Sequence, residues 1–134
     1  MIEILFGKIQ EHLSLLDLSV QSSERIKHFA KNENIDGVVN ETENRERLVN
    51  IIGKIQGEVE EKINQLDGNG ITTDEIQILK SWFLDLNNWS EKMLILDQET
   101  VEYLDQQKES TTKEIATIFR SKEIFKGYNH LNKK

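Results

Sequence analysis

Neither cysteine nor proline occurs anywhere in the 134 residues. Without cysteine there is no disulfide framework, no thiolate zinc site and no thiol nucleophile. Without proline nothing breaks a helix interior, which fits a few long helices joined by little loop. Aromatic residues are sparse while Gln, Glu, Lys, Leu and Ile are plentiful, the composition of an all-α antiparallel bundle or coiled coil. No apolar run approaches the roughly 20 residues of a membrane span, so no stable membrane insertion is expected. Met1 to Phe6 carry neither a basic n-region nor a small-residue cleavage site, which argues against a secretory signal and for a cytoplasmic protein. The formal charge of −7 argues against nucleic acid, whose phosphates require clustered Lys and Arg. Arg120, Lys122, Lys126, Lys133 and Lys134, opposed only by Glu123, nevertheless make the last residues basic. Cations complementing a helix C-terminus account for them; contact with an acidic partner or with headgroups is the alternative.

What is present is helical period. The spacing predicts a first helix over about 2–31, with Ile2, Phe6, Ile9, Leu13, Leu16, Val20, Ile26, Phe29 and Ala30 on its seam. Ser22 and Ser23 weaken that seam, while Leu15 and Leu18 widen it enough for more than one neighbour. Asn32-Glu33-Asn34 is a short polar break, with Asn34 as N-cap of a second helix over about 35–66. Ile35, Val38 or Val39, Thr42, Arg45, Leu48, Ile52, Ile55, Val59, Ile63 and Leu66 hold its period. Gly53 and Gly57 share a face, which either admits a close neighbour or softens the helix. Glu41–Arg45, Glu43–Arg47 and Glu58–Lys62 form i,i+4 pairs in the favourable order. A turn at Asp67-Gly68-Asn69-Gly70 leads to Thr72-Thr73-Asp74-Glu75, a capping box with Thr72 as N-cap.

The longest stretch runs from Thr72 to Tyr128, with a seam through Ile76, Leu79, Phe83, Leu86, Trp89 or Ser90, Met93, Leu96, Thr100, Leu104, Gln107, Thr111, Ile115, Ile118 and Lys122. Unbroken, it would be roughly 85 Å long at 1.5 Å per residue. Either it overhangs, or it breaks near Gln107–Thr112, where Ser110-Thr111-Thr112 are poor helix formers. A break gives a third helix over 73–110, a partly independent fourth over about 112–128 and a tail at 129–134. The expected fold is one all-α domain, an antiparallel bundle of three long helices with or without that fourth.

Catalytic and metal chemistry find no foothold. The glycine turn misses the calcium-loop pattern: with Gly70 at position 6, Gln65 and Ile76 occupy the two essential ends. His12, His28 and His130 form no HExxH, and Ile9 and Arg25 stand three before His12 and His28, where a di-iron bundle wants Glu. There is no GxSxG elbow and no glycine-rich phosphate loop. No enzyme, no metal and no cofactor is therefore expected. The aromatic residues offer more. Phe83 falls on the seam and is expected in the core; Trp82 is one residue off it and Trp89 sits at its edge, positions used equally for wide cores and partner anchors. With Leu86, Met93, Ile115, Ile118, Phe119, Phe125 and Tyr128 they make the candidate partner-binding set.

One family resemblance covers about 11–128. Asn34-Ile35-Asp36-Gly37-Val38-Val39-Asn40, running on through Glu41-Thr42-Glu43-Asn44-Arg45-Glu46-Arg47-Leu48, resembles the start of helix two in flagellar export chaperones. Leu94-Ile95-Leu96-Asp97-Gln98-Glu99, Leu104-Asp105-Gln106-Gln107-Lys108 and Lys122-Glu123-Ile124-Phe125-Lys126-Gly127-Tyr128 are similar to the C-terminal half of the FliT-like group. The FlgN-like group shares the architecture. The resemblance implies a small cytoplasmic, non-enzymatic chaperone of type III flagellar secretion. Its protein client would be a filament-cap or hook–filament junction protein, bound through helical segments and delivered to the export apparatus. It further implies a last helix, here about 112–128, that covers the client groove and is displaced on binding. The competing reading is a structural coiled coil that forms a homodimer through its surplus apolar stripe.

Overall fold

The computed structural model describes residues 2–66, 70–107 and 117–118. Among them the chain is helical and contains no strand: α1 is Ile2–Lys31, α2 Ile35–Asn64 and α3 Thr73–Asp105. All three pack together, and α1 is the shared partner. It lies against both α2 and α3, which meet each other far less.

Interhelical bonds fix the directions. Lys8 bonds Glu58 and Ser22 bonds Glu41, so α2 runs back along α1. His12 meets Trp82, Ser19 meets Trp89 and Ser23 meets Met93, each pair 70 residues apart. A constant offset means that α1 and α3 run parallel and in step.

The helix ends follow from local chemistry. α1 closes on Glu33, which adopts the left-handed φ of 60°. There the Asn34 N–H donates to Phe29 O at 2.8 Å and the Glu33 N–H to Ala30 O at 3.1 Å, satisfying carbonyls the helix leaves open. Asn34 Oδ1 then caps α2 by accepting from the Gly37 N–H at 3.0 Å. At Gly37 the two helices turn back closely, and a β-carbon there would lie 2.7 Å from the Phe29 ring. This is where the chain needs a glycine. Gly57, which with Gly53 either admits a close neighbour or softens α2, faces open space, so close approach is not its role.

The capping box of α3 forms as expected, with Thr72 Oγ1 accepting from Glu75 N–H at 3.1 Å and Glu75 accepting from Thr72 N–H at 2.8 Å. At its far end α3 stops at Asp105, short of the expected 110. Gln107, expected to continue the seam, turns its amide to donate to Ala30 O at 3.1 Å, serving the C-terminus of α1. The fourth helix expected over 112–128 and the tail at 129–134 lie outside the described residues, except for Thr117 and Ile118, which are helical and exposed.

The core has two apolar parts. The larger joins Leu5, Ile9, Leu16 and Val20 of α1 to Ile52, Ile55 and Val59 of α2, and to Trp82, Leu86, Trp89, Met93 and Leu96 of α3. The smaller joins Ile26, Ala30, Val38, Val101 and Leu104. Burial of these side chains, each contributing about 1.5–3 kcal/mol for a large aliphatic, is what holds helices whose individual propensities are modest.

Residues of the three expected i,i+4 pairs also bond elsewhere, while Lys62 still acts electrostatically on Glu58. Glu41 accepts from Ser22 at 2.6 Å and from Arg25 at 3.1 Å, both on α1. Glu58 bonds Lys8 at 2.8 Å, and Arg47 bonds Asn44 at 2.6 Å. In the first two, a neighbouring helix brings a donor closer than the acid's own helix offers.

Candidate functional site

α3 turns a different residue inward from the one its period suggests. Trp82 is 1% exposed, whereas Phe83, expected in the core, is 41% exposed. From Leu86 onward a step back of four or of three is equally helical. The choice falls on Trp82 because its indole N–H donates to Nδ1 of the fully buried His12 at 3.1 Å. Indole can only donate, so His12 presents Nδ1 as an acceptor and carries its proton on Nε2. The rings meet edge-on at 5.6 Å.

Trp89 is anchored in the same way, donating to Ser19 Oγ at 2.8 Å, while Ser19 donates to Leu16 O at 2.7 Å. Trp82, Leu86, Trp89 and Met93 are therefore all committed to the packing of α3 on α1. A partner reaches these four only by lifting a helix. Ile118 is 50% exposed. Ile115, Phe119, Phe125 and Tyr128 lie outside the described residues.

Between the two apolar parts lies a polar layer that the sequence pattern hid. Arg45 of α2 grips Asp97 of α3 with two nitrogens, at 2.5 and 3.0 Å, and both side chains are 1% exposed. Its Nη1 also donates to Ser23 Oγ at 2.9 Å, and Ser23 donates to Ser19 O. Ser22 and Thr100 are buried at the same level. Of the two serines that weaken the seam of α1, Ser23 is thus the small residue beside the guanidinium, while Ser22 donates to Glu41. Burial pushes the Asp97 carboxyl above its usual range, against the opposite pull of Arg45. Signals were present: an arginine on the seam of α2 and an acid beside the seam of α3. Only the folded register puts them at one height.

The surface offers one further feature. Ile76, Phe83 and Leu94 are 41%, 41% and 37% exposed. They are spaced by seven and eleven residues, close to two and three helical turns, and so share a flank of α3. Asp97, three residues past Leu94, meets α2 from that side. These three are half-exposed, with Lys80, Asn87 and Ser90 between them, on the side of α3 next to a helix it barely touches. Opposite it, Phe6, Ile9 and Leu13 of α1 and Ile78, Trp82 and Asp85 of α3 border a cleft of about 240 Å³. That is below the usual size of a small-molecule site.

Among the described residues no group of three or more His, Cys, Asp or Glu is placed to hold a metal ion. Among the same residues no helix is long and apolar enough to cross a membrane. Compared with known proteins, the chain matches no family model, no curated protein and no solved structure.

Proposed function

We propose that the protein is a non-enzymatic, cytoplasmic helix-binding chaperone. Its client is a flagellar filament-cap or hook–filament junction protein that it delivers to a type III export apparatus. The observation that carries this reading is the flank Ile76–Phe83–Leu94. Half-exposed apolar residues at whole-turn spacing are what an amphipathic client helix needs to lie against. The large side chains of the core remain in the bundle while the client takes the flank, so binding does not require the protein to unfold.

In this reading the stretch 112–128 is a fourth helix that competes with the client. Its apolar residues Ile115, Ile118, Phe119 and Phe125 recur at helical spacing, and its basic residues suit an acidic body. The flagellar assignment rests on the resemblance to FliT-like and FlgN-like chaperones, and the helix-binding activity on the flank.

The test is capture from a flagellated host lysate with the intact chain and with one ending at Ser110, followed by identification of the bound proteins. Retention of a cap or junction protein, stronger with the shortened chain, is the expected result. Capture only by the intact chain would place the contact in 111–134. No flagellar component with either form, and a dimeric mass for both, would leave the structural coiled coil as the better account.

A further inference from the structure

We propose that the Arg45–Asp97 layer is a parting plane: the end of the bundle that Asp97–Asp105 of α3 closes opens and recloses as a unit while the Trp82–Met93 half stays packed. The apolar core is already divided at this level. Above the layer, among the described residues, Ile26, Ala30, Val38, Val101 and Leu104 are buried together with Phe29, Ile35 and Tyr103 packed against them, and three of the five buried ones are alanine or valine. Below it stand twelve buried apolar residues, including both tryptophans, each tryptophan pinned to α1 by its indole N–H.

The layer itself does not oppose parting as an apolar layer would. Separating α3 from α2 returns Arg45 and Asp97 to water together, so the desolvation invested in burying them is recovered and neither is left buried alone. Burial works against the charged form of Asp97, pushing its carboxyl above the usual range against the pull of Arg45. Beyond the layer Val101 and Leu104 hold α3 in the smaller core, with Tyr103 packed against it, and the two polar links that follow are weak. Lys27 and Glu99 pair at 3.3 Å with side chains 31% and 42% exposed, and Gln107 gives one hydrogen bond to Ala30 O. Opening bares Ile26, Ala30 and Val38, an apolar surface on α1 and α2 that the closed form conceals.

Native-state amide hydrogen exchange on the full chain tests this. The amides of 99–105 are expected to share one rate at least tenfold faster than those of 83–93. Their dependence on low denaturant should be shallower, the mark of an opening smaller than global unfolding. In the charge-free pair Arg45→Met with Asp97→Leu, protection of 99–105 should rise at least tenfold toward that of 83–93. A single common rate for both stretches in the natural chain would overturn the proposal. So would protection that simply declines residue by residue toward Asp105, which is end fraying. Fast exchange that the charge-free pair leaves unchanged would show that the layer is not its cause. If that variant does not fold, the rates and denaturant slopes of the natural chain decide alone.

Discussion

A buried arginine and a buried aspartate are the residues on which this small core most depends, yet they are not its main source of stability. Replacing either one alone strands the other in the interior, so Arg45→Met or Asp97→Leu should each lower the unfolding free energy by about 3–5 kcal/mol. The double replacement should cost far less than the sum, which a double-mutant cycle by urea unfolding checks. Glu41 carries a different, pH-dependent share. Its partial burial pushes the carboxyl up, but hydrogen bonds from Arg25 and Ser22 outweigh this and hold it below the ordinary 4.5. A depressed carboxylate contributes stability above its unfolded value, and that contribution is lost as pH falls through the folded value. The difference in urea midpoint between the natural chain and Glu41→Gln should therefore be full at pH 6–7 and close as the pH drops below about 4.5. At this scale the sequence was only partly legible. Periodicity places Leu86, Met93, Leu96 and Leu104 inside, but it also places Phe83 there instead of its neighbour Trp82, and the structure reverses the two. The choice is made by a hydrogen-bond acceptor 70 residues away, on another helix.

At the level of the helices, most of the plan is written locally. The capping box at Thr72 and the cap at Asn34 are short-range chemistry, and both form where the sequence places them. The end of α3 is different, because Gln107 leaves the helix to serve α1, and no local pattern announces that exchange. Two substitutions probe the α1–α2 corner in opposite directions. Glu33 holds a left-handed φ that disfavours a β-carbon, so Glu33→Gly should raise stability by about 1 kcal/mol, read as a higher urea midpoint. Gly37→Ala places a β-carbon against the Phe29 ring and should lower it by about 1–3 kcal/mol.

For the molecule as a whole, the all-helical class and the packing of three helices are legible from the absence of proline and the run of threes and fours. What the pattern misplaces is the centre. The longest apolar stretch lies in α3, but the helix that touches both others is α1, whose serines admit Arg45 and Trp89 from either side. A seam that looks weak in one dimension is a broad contact face in three. Among the described residues the half-exposed flank of α3 is a surface this packing leaves for a helical partner, and the functional account stands on it. The most direct measurement is the affinity of the captured flagellar protein for the natural chain and for Phe83→Asp with Leu94→Asp, each first shown to keep its helical signal and melting temperature. The account predicts at least a tenfold loss of affinity with the fold intact. Unchanged affinity in a folded double variant would contradict it.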